Sequence, residues 1–212
     1  MRLLSITVSL LLLLSLKSFA QNDPEALKIL DKFSTTALAS PSVSMKFKLV
    51  ITNEMENKKD TLPGSIILSK DKYKLSLPDN IVWFNGETSS SYLPAENEVT
   101  ITKPDKKDNS FQNRPSAIFS MYKNGYKNKL IDEKYDQYII DLYPEDIKSE
   151  LMRVRLSISR DMLELRKLEY KKRDGIVITL LVSDYNLKYK PDADTFIFRS
   201  QKFKGVEIID MR

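Results

Sequence analysis

The chain has 212 residues, 42% hydrophobic and 30% charged, with 34 lysines and arginines against 29 acids and neither histidine nor cysteine. Without cysteine there are no disulfides, no thiolate metal sites and no lipid-modified N-terminal cysteine, and without histidine the commonest general base and metal ligand is missing. The formal charge of +5 is thin and scattered, with no basic stripe among stacking aromatics, so no nucleic-acid partner is expected.

In chain order, Arg2 precedes an apolar run from Leu3 to Leu16, and Ser18-Phe19-Ala20 then places small residues at the −3 and −1 positions. This reads as a secretory signal peptide, residues 1–20, cleaved after Ala20. The run is short for a membrane span, which takes about 20 apolar residues. Export would remove Arg2 and Lys17, lowering the formal charge to +3, and leave residues 21–212 as one domain, soluble in the periplasm.

Asp23-Pro24-Glu25 supplies an N-cap, a first-position proline and a first-turn acid. Ala26, Ile29, Leu30, Phe33 and Ala37 follow at helical spacing. A long half-buried strand is expected where Val43, Met45, Phe47, Leu49 and Ile51 alternate with polar residues. Ile66 and Leu68 continue the pattern, and Tyr73, Leu75 and Leu77 alternate with Lys72, Lys74 and Ser76. Next comes Ile81-Val-Trp-Phe-Asn-Gly86, whose Asn85-Gly86 suits a two-residue hairpin turn, and then a strand over 99–101. Lys103, Lys106, Lys107 and Arg114, interleaved with Asp105 and Asp108, form a solvated loop. Pro115 opens a short helix carrying Ile118, Phe119, Met121 and Tyr122 and ending near Gly125. Pro144-Glu-Asp-Ile-Lys makes at most one turn. Strands are expected over 135–143, 151–159, 162–170 and 175–187, the last two joined through Asp174-Gly175, with short apolar runs at 195–198 and 206–209.

Little in this chain resembles a catalytic centre. Ser89-Ser90-Ser91 lacks a histidine partner and a nucleophile elbow. The acidic pairs Glu145-Asp146 and Glu96/Glu98 fit a first turn and an exposed strand face. No glycine-rich phosphate loop arises among five glycines. A non-enzyme without cofactor or metal is expected.

Gly64 opening a strand, Lys70 with Tyr73-Lys-Leu75, Ile81-Val-Trp-Phe-Asn-Gly86, Tyr92-Leu-Pro and Glu98-Val-Thr-Ile101 occur in an order that resembles the periplasmic outer-membrane lipoprotein carriers (LolA), of the type found in Bacteroidetes-like lineages. Pro115 before an apolar helix and the ending Phe196-Ile-Phe198…Gly205-Val-Glu-Ile-Ile-Asp-Met-Arg212 extend the likeness over the whole mature chain. The resemblance implies a mainly β fold, an incomplete, unclosed antiparallel β barrel of roughly eleven strands with an α-helical lid. It implies a monomeric carrier that takes acylated lipoproteins from an ATP-driven inner-membrane release complex of the ABC type. Delivery would be to an outer-membrane acceptor or to the outer membrane itself. Alternatives are a carrier of another lipid or amphipathic intermediate, and a lipid-sensing regulatory binding module.

The candidate lipid-binding lining is Met45, Phe47, Leu49, Ile66, Leu68, Tyr73, Leu75, Leu77, Ile81 and Trp83. Their alternation fits a fillable cavity and a packed barrel core equally; the resemblance favours the cavity. Ile118, Phe119 and Met121 are the candidate lid. Lys70 stands where the family commonly has an arginine that closes the lid, so it is either a softer latch or an exposed turn residue.

Overall fold

A computed structural model of the protein describes residues 22–104 and 114–212. The expected signal peptide, residues 1–20, and the charged stretch at 105–108 lie outside the described residues. Helix α1 (Pro24–Ala39) starts where its cap demands: Asp23 Oδ1 accepts hydrogen bonds from the backbone N–H groups of Glu25 and Ala26, at 2.9 and 3.3 Å. Its buried stripe is Ala26, Ile29, Leu30, Phe33, Ser34 and Ala37.

One sheet of twelve strands follows: β1 (Val43–Asn53), β2 (Lys58–Ser69), β3 (Lys72–Ser76), β4 (Ile81–Phe84), β5 (Ser89–Leu93), β6 (Glu98–Thr102), β7 (Tyr126–Glu133), β8 (Gln137–Pro144), β9 (Leu151–Ser159), β10 (Leu165–Lys172), β11 (Ile176–Asn186) and β12 (Glu207–Asp210). Its spatial order is β12-β6-β5-β4-β3-β2-β1-β11-β10-β9-β8-β7. Two antiparallel meanders, β1 to β6 and β7 to β11, are thus joined where β11 pairs with β1. Only β12, beside β6, runs parallel. The ladder does not close, so the expected open barrel is the observed one, with one strand more than the reading of the sequence.

Several local expectations shift. Tyr126–Glu133 is a strand although its sequence, Tyr-Lys-Asn-Lys-Leu-Ile-Asp-Glu, does not alternate cleanly: of its inward positions Tyr126, Asn128 and Leu130 the middle one is polar, and a register shift between Leu130 and Asp132 breaks the pattern. The apolar run at 195–198 lies in a turn and bend and not in a strand, and Met162, expected in a strand, lies in a turn before β10. The helix expected from Pro115 is a pair of 3₁₀ turns, Pro115–Phe119 and Met121–Lys123. Arg114 offers the first no side-chain cap, and Ser120 (φ −134°, ψ −10°) interrupts helical continuation between them. Asn85-Gly86 is not the turning pair either. Asn85 N–H donates to the Thr88 carbonyl and Asn85 Oδ1 accepts from the Glu87 and Thr88 N–H groups, so the two central residues are Gly86 (φ +97°) and Glu87. Glycine at the first central position is what such a turn requires.

The inner face of the sheet carries one apolar cluster that includes α1, both 3₁₀ turns and side chains from β1–β3 and β7–β11. On the outer face of β8–β10, Asp141 is buried by a bidentate pair with Arg155 (2.6 and 2.7 Å) and accepts a hydrogen bond from the Tyr143 hydroxyl. Lys167 and Arg153 converge on Glu169 in the same ladder.

Candidate functional site

Cross-strand register decides which side chains share the inner face. Val43 lies opposite Leu68, Met45 opposite Ile66 and Phe47 opposite Gly64. Leu68 then faces Tyr73, and Ile66 faces Leu75. One strand further, Tyr73 opposes Phe84 and Leu75 opposes Val82. Met45, Phe47, Ile66, Leu68 and Tyr73 are buried, whereas Leu49, Leu75, Leu77, Val82 and Phe84 are only partly so.

Two predicted lining residues are not on this face. Trp83 opposes Lys74 and Ile81 opposes Tyr92, on the outer side. There the Trp83 ring lies 5.5 Å from Phe198 and 5.8 Å from Phe203, with the Lys74 ammonium 5.6 Å from its centroid. Tyr92 joins the same group, 4.6 Å from Phe203. The cause is a one-residue slip. Ile81-Val-Trp-Phe is apolar on both faces, so it has no alternation to tell them apart, and a shift of one residue exchanges every side chain. Val82 and Phe84 are the residues that reading missed. The signal for them was the pairing with β3, since Tyr73 needs an apolar partner opposite it.

Gly64 is shaped by this face. A Cβ there would sit 2.4 and 2.6 Å from two Phe47 ring carbons and 2.9 Å from a Leu77 methyl, so the ring occupies the space a side chain would need. The Tyr73 ring lies tilted 5.4 Å from that of Phe84 and its hydroxyl is hydrogen-bonded to Ser89; burial pushes its pKa up and that bond only partly offsets it. The serine run therefore contributes a buried hydroxyl to the wall.

The cover consists of α1 and the 3₁₀ turns. Ile118 and Phe119 are buried and Met121 is half-buried. Phe119 meets Phe33 of α1 at 5.4 Å, and the Tyr122 hydroxyl donates to Asp31. Burial first, and then the bond to Asp31, push the Tyr122 pKa up to about 12, so it remains a donor at any physiological pH. At its start the helix is stitched to the sheet: Asp23 Oδ2 accepts from the Leu130 N–H (3.1 Å), Asp23 N–H donates to the Asn128 carbonyl (3.2 Å), and Asn22 Oδ1 accepts from the Asn128 N–H (3.1 Å). Residues 22 and 23 thereby cover the edge of β7.

Lys70 does not reach this cover. It is exposed at the β2–β3 turn with φ +52°, a left-handed conformation unusual for lysine, and makes no ion pair or hydrogen bond with α1 or the 3₁₀ turns. Its neighbour Ser69 ties the turn to the far end of the helix, donating to the Pro41 carbonyl at 2.9 Å. The structure thus places Lys70 in an exposed turn and not against the cover.

The inner face thus has two characters. Ile140, Leu142, Val154, Leu156, Ile158 and Leu168 of β8–β10 are sealed from solvent. Over β1–β4, Leu49, Leu75, Leu77, Val82 and Phe84 remain partly open. An apolar surface left accessible beside a sealed one can take up hydrocarbon. Among the described residues no group of three or more acids could hold a metal ion, and no helix is long and apolar enough to cross a membrane.

A family model described as "Outer membrane lipoprotein carrier protein LolA" matches residues 16–174. No curated protein matches the chain. Among solved structures, an uncharacterized conserved protein from Thermus thermophilus superposes with a TM-score of 0.58 at 10% identity, covering 88% of this chain and 99% of that one. This establishes likeness of fold alone. A putative outer membrane lipoprotein-sorting protein domain from Vibrio parahaemolyticus gives 0.45 at 12% identity, covering 82% of this chain and 96% of that one. A LolA superfamily protein from Nitrosomonas europaea gives 0.42 at 13%, with 82% and 97% covered.

Proposed function

Because the chain belongs to the outer membrane lipoprotein carrier (LolA) family, we propose that it is a periplasmic carrier of acylated lipoproteins, one domain over residues 21–212. It receives cargo from an inner-membrane ABC-type release complex and delivers it to an outer-membrane acceptor or to that membrane directly. The observation that carries this reading is the half-open apolar patch of Leu49, Leu75, Leu77, Val82 and Phe84 on the inner face.

Each methylene withdrawn from water stabilises a complex by about 0.8 kcal/mol, so a single long acyl chain gains on the order of 10 kcal/mol in an apolar site. That gain is what a carrier must supply to hold a lipid anchor in an aqueous compartment. The work is binding and release rather than bond-making, in keeping with a chain that has neither histidine nor cysteine. Ile118, Phe119 and Met121 act with α1 as the cover that keeps the empty site dry, and opening is a shift between two packed states biased by cargo.

The test incubates the purified mature protein with inner-membrane vesicles that release a lipoprotein. The expected result is a soluble complex with the acylated lipoprotein and none with its unacylated form. Failure to solubilise the acylated form, or equal binding of both, overturns the reading.

A further inference from the structure

Asn128 of β7 is 3% exposed, and neither Nδ2 nor Oδ1 has a hydrogen-bond partner. Among the described residues the Arg153 Nε and the Tyr185 hydroxyl are also buried without a partner, but Asn128 alone leaves two such side-chain atoms, the whole of its amide. Its direction is given by register: it opposes Leu142, which opposes Val154, so the amide stands on the inner face among sealed apolar side chains. Its own backbone N–H and carbonyl are taken by Asn22 and Asp23, where the start of α1 is stitched to the sheet. An unpaired buried polar group forfeits the hydrogen bonds it would make in water, which disfavours the empty state. Leucine, with the same number of side-chain heavy atoms, would carry no such cost.

We propose that Asn128 is a specificity-determining residue, whose amide pairs with the amide linkage of an N-acylated lipid anchor. This rests on the acyl-binding function above and adds which linkage the site prefers. The chemistry selects the ligand class. Oδ1 needs a donor and Nδ2 an acceptor. An ester-linked chain offers acceptors only, and a free fatty acid at neutral pH brings a carboxylate that the surrounding leucine and valine cannot solvate. An amide-linked chain offers an uncharged N–H and a carbonyl together. Cargo reaching beneath the first turn of α1 satisfies Asn128 as that turn moves.

The test uses methyl N-palmitoylglycinate and its counterpart in which an ester oxygen replaces the amide N–H, the binding of each to the protein being measured directly by titration calorimetry. Wild-type protein is expected to bind the amide about tenfold more tightly than the ester, the effect of one buried hydrogen bond. In Asn128→Leu that preference disappears while ester binding is retained; Asn128→Ala serves if the leucine variant does not fold. A wild type without preference, or a variant that keeps it, overturns the assignment, the second result marking Asn128 as the seat of a structural water only. Failure of both ligands to bind wild type overturns the acyl-binding reading itself, and this inference with it.

Discussion

Asp23 is where the start of the cover is fastened, and its two oxygens do separable jobs. Oδ1 caps α1 through Glu25 and Ala26, and Oδ2 receives the Leu130 N–H of the edge strand. Asp23→Ala removes both: about 1 kcal/mol for the cap and about 1 kcal/mol for leaving a partly buried N–H without its acceptor. With a urea slope of about 2 kcal/mol per molar, the unfolding midpoint should fall by roughly 1 M. Asp23→Asn keeps an oxygen for the cap and turns an NH₂ toward Leu130, so it should lose about half as much. The Leu130 amide should exchange with solvent faster in both variants. Acid dependence follows from the carboxylate's environment. Burial raises its pKa, but the N–H groups of Leu130, Ala26 and Glu25, with Lys129 nearby, outweigh burial and hold it below the ordinary value. A depressed carboxylate contributes stability above the unfolded value of about 4, and that contribution is lost as pH falls through the folded one. Wild type should therefore lose more stability than Asp23→Asn between about pH 5 and about pH 2. Equal costs for the asparagine and alanine variants, or parallel acid profiles, would refute the division of labour.

Four further outcomes are expected. A tryptophan placed by Phe84→Trp in a Trp83→Phe background should shift its emission when a long-chain acyl ligand binds, whereas wild-type Trp83, packed against Phe198 and Phe203, should not; the reverse would put the sheet faces the other way round. Gly64→Ala forces the Phe47 ring off its seat and should cost about 1–3 kcal/mol in chemical denaturation, with reduced acyl loading. Phe119→Ala should cost about 3 kcal/mol because that ring is buried against Phe33, while Met121→Ala should spare stability and shorten cargo retention measured by exchange. Lys70→Gly should stabilise by about 1 kcal/mol by relieving a left-handed residue and leave transfer rates unchanged; slower or faster transfer would restore Lys70 to a role in closure.

Alternation made most of the sheet legible. Val43 to Lys48 was readable because one face is buried and the other wet, Tyr73 to Leu77 because apolar residues alternate with polar ones, and the helix because Asp23-Pro24-Glu25 is a local signal. What was not legible had no local contrast. Tyr126–Glu133 lies at the sheet edge, and Ile81–Phe84 is apolar on both sides because the segment bearing Phe198 and Phe203 covers the outer one. That cover comes from residues more than a hundred positions away, so no window around Trp83 could reveal it. Lys70 illustrates the other limit: a matching position can be read from the sequence, but which way the side chain lies depends on the turn that carries it, and here it is exposed.

The sheet ends at β7 on one side and at β12 on the other, and neither rim is joined to the other by a ladder. Asn22 and Asp23 lie along the first rim, and the second is a strand of only four residues. Short or covered rims resist pairing with other chains. They also make a seam that acts as an expansion joint. A closed barrel can swell only by breaking a row of backbone hydrogen bonds, whereas this wall can splay at its seam with every ladder intact. In the carrier proposed above, one scaffold would then accept occupants of unequal bulk.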